Sequence, residues 1–144
     1  DNFINTGADV ITFHYETGVD ITNLTQYIKN KNVNAGLAIS PDTKIENLTP
    51  YLKDIDEVTV MTVIPGKGGQ SLILDCLKKI QFLTEFRKNE SNDFLIQVDG
   101  GVKKDNITNV FNAGADIAVA GTAVFNNHST VEDNMNALFD KLKV

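Results

Sequence analysis

Five short runs of nearly uninterrupted apolar and β-branched residues recur along this chain, and they constrain its fold more than any other feature. They are Val10-Ile11-Thr12-Phe13, Ala35-Gly36-Leu37-Ala38-Ile39, Val58-Thr59-Val60-Met61-Thr62-Val63, Phe94-Leu95-Ile96-Gln97-Val98 and Ile117-Ala118-Val119-Ala120. A strand with one wet face alternates apolar and polar residues. A run with little alternation is a strand covered on both faces, as in a parallel sheet. The runs begin at residues 10, 35, 58, 94 and 117, so their starts are 25, 23, 36 and 23 residues apart. Parallel neighbours need a crossover of a dozen or more residues, usually a helix. Each step leaves room for one helix and two loops.

The gaps carry helical spacing. Leu24 and Ile28 stand four apart within a predicted helix from Ile21 to Lys29. Ile45, Leu48 and Leu52 repeat the pattern, with Pro50 limiting that segment to a turn or two. Leu77, Ile80 and Phe86 mark a longer helix over 72–86. Ile107, Val110 and Phe111 mark another, and Met135, Leu138, Phe139 and Leu142 the last. Asn5-Thr6-Gly7-Ala8-Asp9-Val10 and Asn112-Ala113-Gly114-Ala115-Asp116-Ile117 are two copies of one helix-to-strand junction, with glycine at a left-handed cap. Strand–helix alternation gives an α/β fold. An open doubly wound sheet and part of a closed barrel both fit. At roughly 30 residues per unit, five βα units of a (β/α)₈ barrel fit the length. Buried positions such as Leu37, Val60 and Ile96 are expected on the inner face of such a barrel.

Composition narrows the partners. The chain has 144 residues, 42% hydrophobic and 22% charged, with a net charge of −6. That balance argues against nucleic acid and against an anionic membrane surface. No apolar run approaches the roughly 18 residues of a membrane span. Cys76 is the single cysteine, so no disulfide forms within the chain, and a reducing, cytoplasmic setting is expected. A phosphorylated ligand stays open, because backbone N–H groups hold phosphate without basic side chains.

In this architecture chemistry sits where strands end. Those ends read His14-Tyr15-Glu16, Ser40-Pro41-Asp42-Thr43, Val63-Ile64-Pro65-Gly66-Lys67-Gly68-Gly69-Gln70, Asp99-Gly100-Gly101 and Gly121-Thr122-Ala123. The third is a glycine-rich loop, either a flexible turn or a place where backbone amides approach a ligand. Its spacing fits neither a Walker A loop nor a dinucleotide fingerprint. Asp99 reads equally as a helix N-cap and as a site acid. Gly100-Gly101 after one strand and Gly121-Thr122 after the next suit a phosphate, each turn as a helix-start anion site. His14 and Glu16 read as pocket-lining or core residues, and His128 as a solvated loop residue.

Met61-Thr62-Val63-Ile64-Pro65-Gly66-Lys67-Gly68-Gly69-Gln70, Val98-Asp99-Gly100-Gly101 and Val119-Ala120-Gly121-Thr122-Ala123-Val124-Phe125 together resemble the signature run of the ribulose-phosphate 3-epimerase family. Gly7 to Glu16 is similar to that family's fourth strand, and Gly36 to Thr43 to its fifth. The resemblance implies a (β/α)₈ TIM barrel of the ribulose-phosphate-binding type. Residues 1–144 are then a single-domain C-terminal portion of about five βα units, truncated at the N-terminus. It implies an isomerase that interconverts D-ribulose 5-phosphate and D-xylulose 5-phosphate, in the pentose phosphate pathway, with a sugar phosphate as partner and a homo-oligomer when complete. It implies a divalent metal, zinc, iron or manganese-like. Asp99 matches the aspartate that is both metal ligand and acid/base group. Gly68, Gly69, Gln70 and Ser71 match the substrate loop; Gly100, Gly101, Gly121 and Thr122 match the phosphate positions; Met61 matches a pocket-lining methionine. The remaining metal ligands and the second acid match strands that this sequence does not contain, so the portion alone is expected to be inactive. Lys67 stands where the loop usually carries an aromatic residue, which keeps a hexulose phosphate such as allulose 6-phosphate open as substrate. Thr122 replaces a serine and keeps its hydroxyl. A non-catalytic phosphosugar-binding or interaction protein is the remaining reading.

Overall fold

The structure, a computed structural model, describes residues 1–66 and 68–143. The five predicted strands form one sheet: β1 (Val10–His14), β2 (Asn34–Ile39), β3 (Glu57–Met61), β4 (Leu95–Asp99) and β5 (Ile117–Val119). All neighbours are parallel and follow chain order, β1-β2-β3-β4-β5. That order decides between an open sheet and a barrel. A doubly wound sheet reverses direction at a switch point. Here every crossover steps the same way, so right-handed connections place all helices on one face, as in a barrel wall.

The helices are α1 (Asn2–Asn5), α2 (Ile21–Lys29), α3 (Leu77–Glu90), α4 (Ile107–Asn112) and α5 (Val131–Phe139). Asp20 starts α2 by accepting the Asn23 N–H, 3.0 Å, and Thr130 starts α5 by accepting that of Asp133, 3.1 Å. The segment around Pro50 is a single 3₁₀ turn, Ile45–Leu48. The helix expected from residue 72 begins later, as a 3₁₀ turn at Leu74–Cys76 followed by α3. Both glycine junctions hold: Gly7 has φ +88° and Gly114 φ +107°. A side chain at Gly114 would also overlap the Thr84 hydroxyl.

The core lies between sheet and helices. Leu37, Ile39, Val58, Val60, Ile96 and Val98 are fully buried there with Leu48, Ile80, Leu83 and Val110. Leu37, Val60 and Ile96, expected on the inner face, therefore sit on the outer, helix-covered face. The cause is parity: side chains alternate along a strand, and the register aligns Leu37 with Val58 and Val58 with Ile96 on one side. The concave side carries Thr12, Gly36, Ala38, Glu57, Thr59 and Gln97. Glu57, 8% exposed, accepts from Thr12, Thr59 and Gln97 at 3.2–3.3 Å, so its buried carboxylate is bonded. Three strands fall short of their predicted runs: Thr62 and Val63 leave β3 for the loop, Phe94 precedes β4, and Ala120 leaves β5. No helix among the described residues is long and apolar enough to cross a membrane.

Candidate functional site

The sheet has two unlike ends. At the N-terminal end, Asp56 accepts the Ala35 N–H at 2.9 Å and pairs with Lys29 at 2.9 Å. Asp116 repeats the device: it accepts the Ile96 N–H at 2.8 Å and pairs with Arg87 at 2.5 Å. These aspartates tie neighbouring strands and the preceding helix together.

At the C-terminal end the register aligns Met61 with Asp99 and Asp99 with Val119. These three line a cavity of about 310 Å³ with Gly66, Gly68, Gly69, Gln70, Gly100, Gly101, Gly121 and Thr122. Nine of the residues singled out in the sequence thus share one cavity. Ser71 is exposed and does not line it. Lys67 lies outside the described residues. Asp99 is not a helix N-cap: α4 begins eight positions later, with Asn106 at its N-cap position. Its half-buried carboxylate has no hydrogen bond or ion pair with any described residue.

The backbone around Asp99 is tightly held. Thr62, fully buried, donates its N–H to the Asp99 carbonyl at 2.9 Å and its hydroxyl to the Gly100 carbonyl at 2.5 Å. Gly100 and Gly101 have φ +126° and +67°, and added methyl groups would collide with the Val63 side chain and the Leu72 backbone nitrogen. Both must be glycine on conformational and steric grounds. Asn106 closes this turn, donating to the Gly101 carbonyl at 2.9 Å and accepting the Lys103 N–H at 2.8 Å. Gln70 donates to the Ile64 carbonyl at 2.7 Å and closes the glycine-rich loop. Gly68 and Gly121 differ from the tight pair. Neither has a left-handed φ, and a side chain at either would meet nothing within 4 Å. Among the described residues their bareness serves no packing; it leaves backbone open toward the cavity.

Neither the Gly100-Gly101 turn nor the Gly121-Thr122 turn opens directly into a helix, contrary to expectation. Residues 102–106 form a turn before α4, and Gly121 to Phe125 form a single turn in which Val124 and Phe125 donate to the Gly121 carbonyl. An anion here would meet N–H groups of turns rather than helix starts. The sequence alone leaves Thr62 and Asn106 unassigned. The only sign of them is a threonine after the strand-ending Met61 and an asparagine before an apolar helix start.

A second cluster stands at the ends of β1 and β2. Glu16 accepts from Ser40 N at 2.8 Å and Thr43 Oγ1 at 2.5 Å, and contacts His14 Nδ1 at 3.2 Å. Burial raises the Glu16 carboxyl, but these hydrogen bonds outweigh it and bring the group down to about 2. Lys79 holds the same loop from α3, donating to the Ser40, Pro41 and Thr43 carbonyls at 2.6–2.8 Å, and burial pulls its ammonium down. Burial pushes the Cys76 thiol up, so it behaves as a packing residue. His128 is exposed in its loop.

Among the described residues no three His, Cys, Asp or Glu side chains converge as a metal site. Asp99 offers a single ligand, and a divalent cation held by protein takes several. The residues present do not make a cation site on their own.

The family model described as Ribulose-phosphate 3 epimerase family matches residues 1–125. Ribulose-phosphate 3-epimerase of Treponema pallidum (strain Nichols) is 37% identical over 125 residues, 87% of this chain and 57% of that protein. The Eremothecium gossypii protein of the same name is 44% identical over 128 residues, 87% of this chain and 51% of the relative. That of Escherichia coli (strain K12) is 36% identical over 143 residues, 98% and 64%. The chain thus spans between about half and two thirds of the length of these relatives. Among solved structures, a ligand complex of KGPDC from Streptococcus mutans superposes with a TM-score of 0.74 at 16% identity, covering 99% of this chain and 65% of that one. A 3-hexulose-6-phosphate synthase gives 0.68 at 19%, covering 98% and 65%. At such identities these two speak for the fold alone, and the fold is part of a (β/α) barrel.

Proposed function

The chain belongs to the ribulose-phosphate 3-epimerase family, and on that premise we propose that it carries one wall of the active site of an enzyme interconverting D-ribulose 5-phosphate and D-xylulose 5-phosphate. The observation that carries this reading is the unpartnered Asp99 carboxylate in one cavity with open glycine turns. Inverting a carbon beside a ketone requires removing its proton from one face and returning one to the other. Asp99 is assigned as the acid/base group on one face. An unbonded carboxylate keeps both oxygens available for that proton. The glycine turns at Gly100, Gly101, Gly121 and Thr122 are assigned to the phosphate, Gly68, Gly69 and Gln70 to the sugar chain, and Met61 to shielding the reacting carbon from water.

A divalent cation beside Asp99 is part of the proposal, with its further ligands and the second acid outside the described residues. Residues 1–144 are read as part of one barrel domain of a cytoplasmic homo-oligomer. The test is proton exchange. The purified protein, supplied with the strands that carry the second acid and the remaining metal ligands and given D-ribulose 5-phosphate in deuterated water with and without added divalent metal, is expected to form D-xylulose 5-phosphate carrying deuterium at C3, and residues 1–144 alone to form none. Faster turnover of allulose 6-phosphate would move the assignment to a hexulose phosphate, and binding without exchange would reduce the protein to a phosphosugar binder.

A further inference from the structure

His14 ends β1 on the concave side of the sheet. The register aligns it with Ala38, and Ala38 with Thr59, on the face that carries Asp99 two residues further along. Its imidazole is about a third exposed: the side chain keeps 35% of its accessible surface. Nδ1 lies 3.2 Å from Glu16 Oε2. Nε2 has no partner among the described residues.

The Glu16 contact selects the tautomer of the neutral ring. Glu16 already accepts from Ser40 and Thr43 through its other oxygen, and its carboxyl is held down to about 2. A carboxylate can only accept, so Nδ1 carries the hydrogen and the neutral ring keeps its lone pair on Nε2. Lys79 braces the loop that braces Glu16. Such reinforcement around one imidazole is more than a solvated histidine needs.

Level within the barrel follows from strand tilt. In an eight-stranded barrel of shear eight, a constant height advances about one residue per successive strand. The register line from Asp99 passes Met61 and, extended beyond the last paired residues of β2 and β1, falls at the position of Glu16, two residues past the end of β1. Stepping back about three residues for three strands brings the level of Asp99 close to His14. A sugar phosphate with its phosphate at the β4 and β5 turns would extend past Asp99 toward β1.

We propose that His14 contacts substrate in this same site, its Nε2 accepting a hydrogen bond from a hydroxyl at the sugar end of a bound sugar phosphate, with Glu16 as the residue that positions it. The proposal rests on the reading of the glycine turns as phosphate site, and the experiment separates the two. Amide and imidazole ¹⁵N resonances of the purified protein are followed while inorganic phosphate, and separately D-ribulose 5-phosphate, is added. Phosphate is expected to move the amides of Gly100, Gly101, Gly121 and Thr122 and to leave His14 still. The sugar phosphate is expected to move both, with the shift at Nε2. His14→Leu should weaken sugar-phosphate binding about 3- to 10-fold, the worth of one hydrogen bond, with phosphate binding within about twofold of the original. His14→Gln, which keeps an acceptor there, should restore part of the loss. Glycine amides that move with D-ribulose 5-phosphate while His14 does not, or a His14→Leu protein that binds both ligands unchanged, overturns the proposal. If neither set moves, the reading of the site falls and this proposal with it.

Discussion

Asp56 and Asp116 stand at one end of the sheet and Asp99 at the other, on the same kind of strand. The first two are saturated: each accepts a backbone N–H from the neighbouring strand and pairs with a cation on a helix. Asp99 has no partner among the described residues, although the backbone beneath it is fixed by Thr62 and Asn106. A carboxylate used for structure spends its acceptor capacity inside the protein. Asp99, proposed above to be kept for a ligand, is held by its main chain and left bare at its oxygens among the described residues. The division follows the rule that barrels place stability at the N-terminal end of the strands and chemistry at the C-terminal end.

The largest expected effect separates these roles at Asp99. Asp99→Asn keeps size and shape and removes the proton-accepting oxygen. In the complete protein, turnover of D-ribulose 5-phosphate should fall about 10²- to 10⁴-fold, the usual worth of a general acid–base group. Because no described residue bonds that side chain, the thermal midpoint should stay within about a degree of the original. A variant that epimerises normally, or that loses its turnover only by unfolding, would erase the contrast between the two ends.

The reverse pattern is expected at Asp116. Asp116→Ala leaves the Ile96 N–H and the Arg87 guanidinium without their acceptor. Each such loss costs about 1–3 kcal/mol when the group is shielded from water. Arg87 still donates to the Phe94 carbonyl at 2.9 Å, which keeps the total toward the lower end. Urea unfolding should show this loss, while the affinity of the folded protein for inorganic phosphate is unchanged. A phosphate affinity that falls with the stability would mean the two ends are coupled through β4, and the comparison would need to be redrawn.

Much of this can be read from the chain because its signals are local. Strand positions follow from apolar runs, the junctions at Gly7 and Gly114 from a left-handed cap, and the site from glycines and Asp99 at strand ends. What the sequence conceals is relational. A run with little alternation does not say which parity faces the helices, so the expectation for Leu37, Val60 and Ile96 falls on the wrong side. The same ambiguity hides the bonded set of Glu57, Thr12, Thr59 and Gln97, which meets only across strands of the assembled sheet. The bonds of Thr62 to Asp99 and Gly100 join residues 37 and 38 positions apart, and those of Lys79 to the Ser40 loop span 36 to 39. No spacing within one element reports such contacts. The delayed start of α3 has another cause: the segment after the glycine-rich loop is spent closing it, with the Ile73 N–H donated to the Thr62 carbonyl at 2.8 Å.

The smallest expected effect is a pH dependence at the second cluster. Glu16 falls from 4.5 to about 2 in the folded protein. A carboxyl depressed by folding contributes stability that is fully present above its unfolded value and is lost as protons bind the folded state. The window therefore runs from about pH 4.5 down to about pH 2. The side chain keeps 32% of its accessible surface, so solvent screening reduces the contribution to about 1 kcal/mol or less. Other carboxylates titrate across the same range, so the informative quantity is a difference between two proteins. Thermal midpoints of the original and of Glu16→Gln, measured at steps from about pH 6 to about pH 2.5, should be furthest apart near neutrality and converge on acidification. The glutamine cannot hold the His14 ring, Ser40 and Thr43 with the same charge, and it has no proton to gain. Curves that stay parallel over the whole range would show that the Glu16 cluster is held by shape rather than by charge.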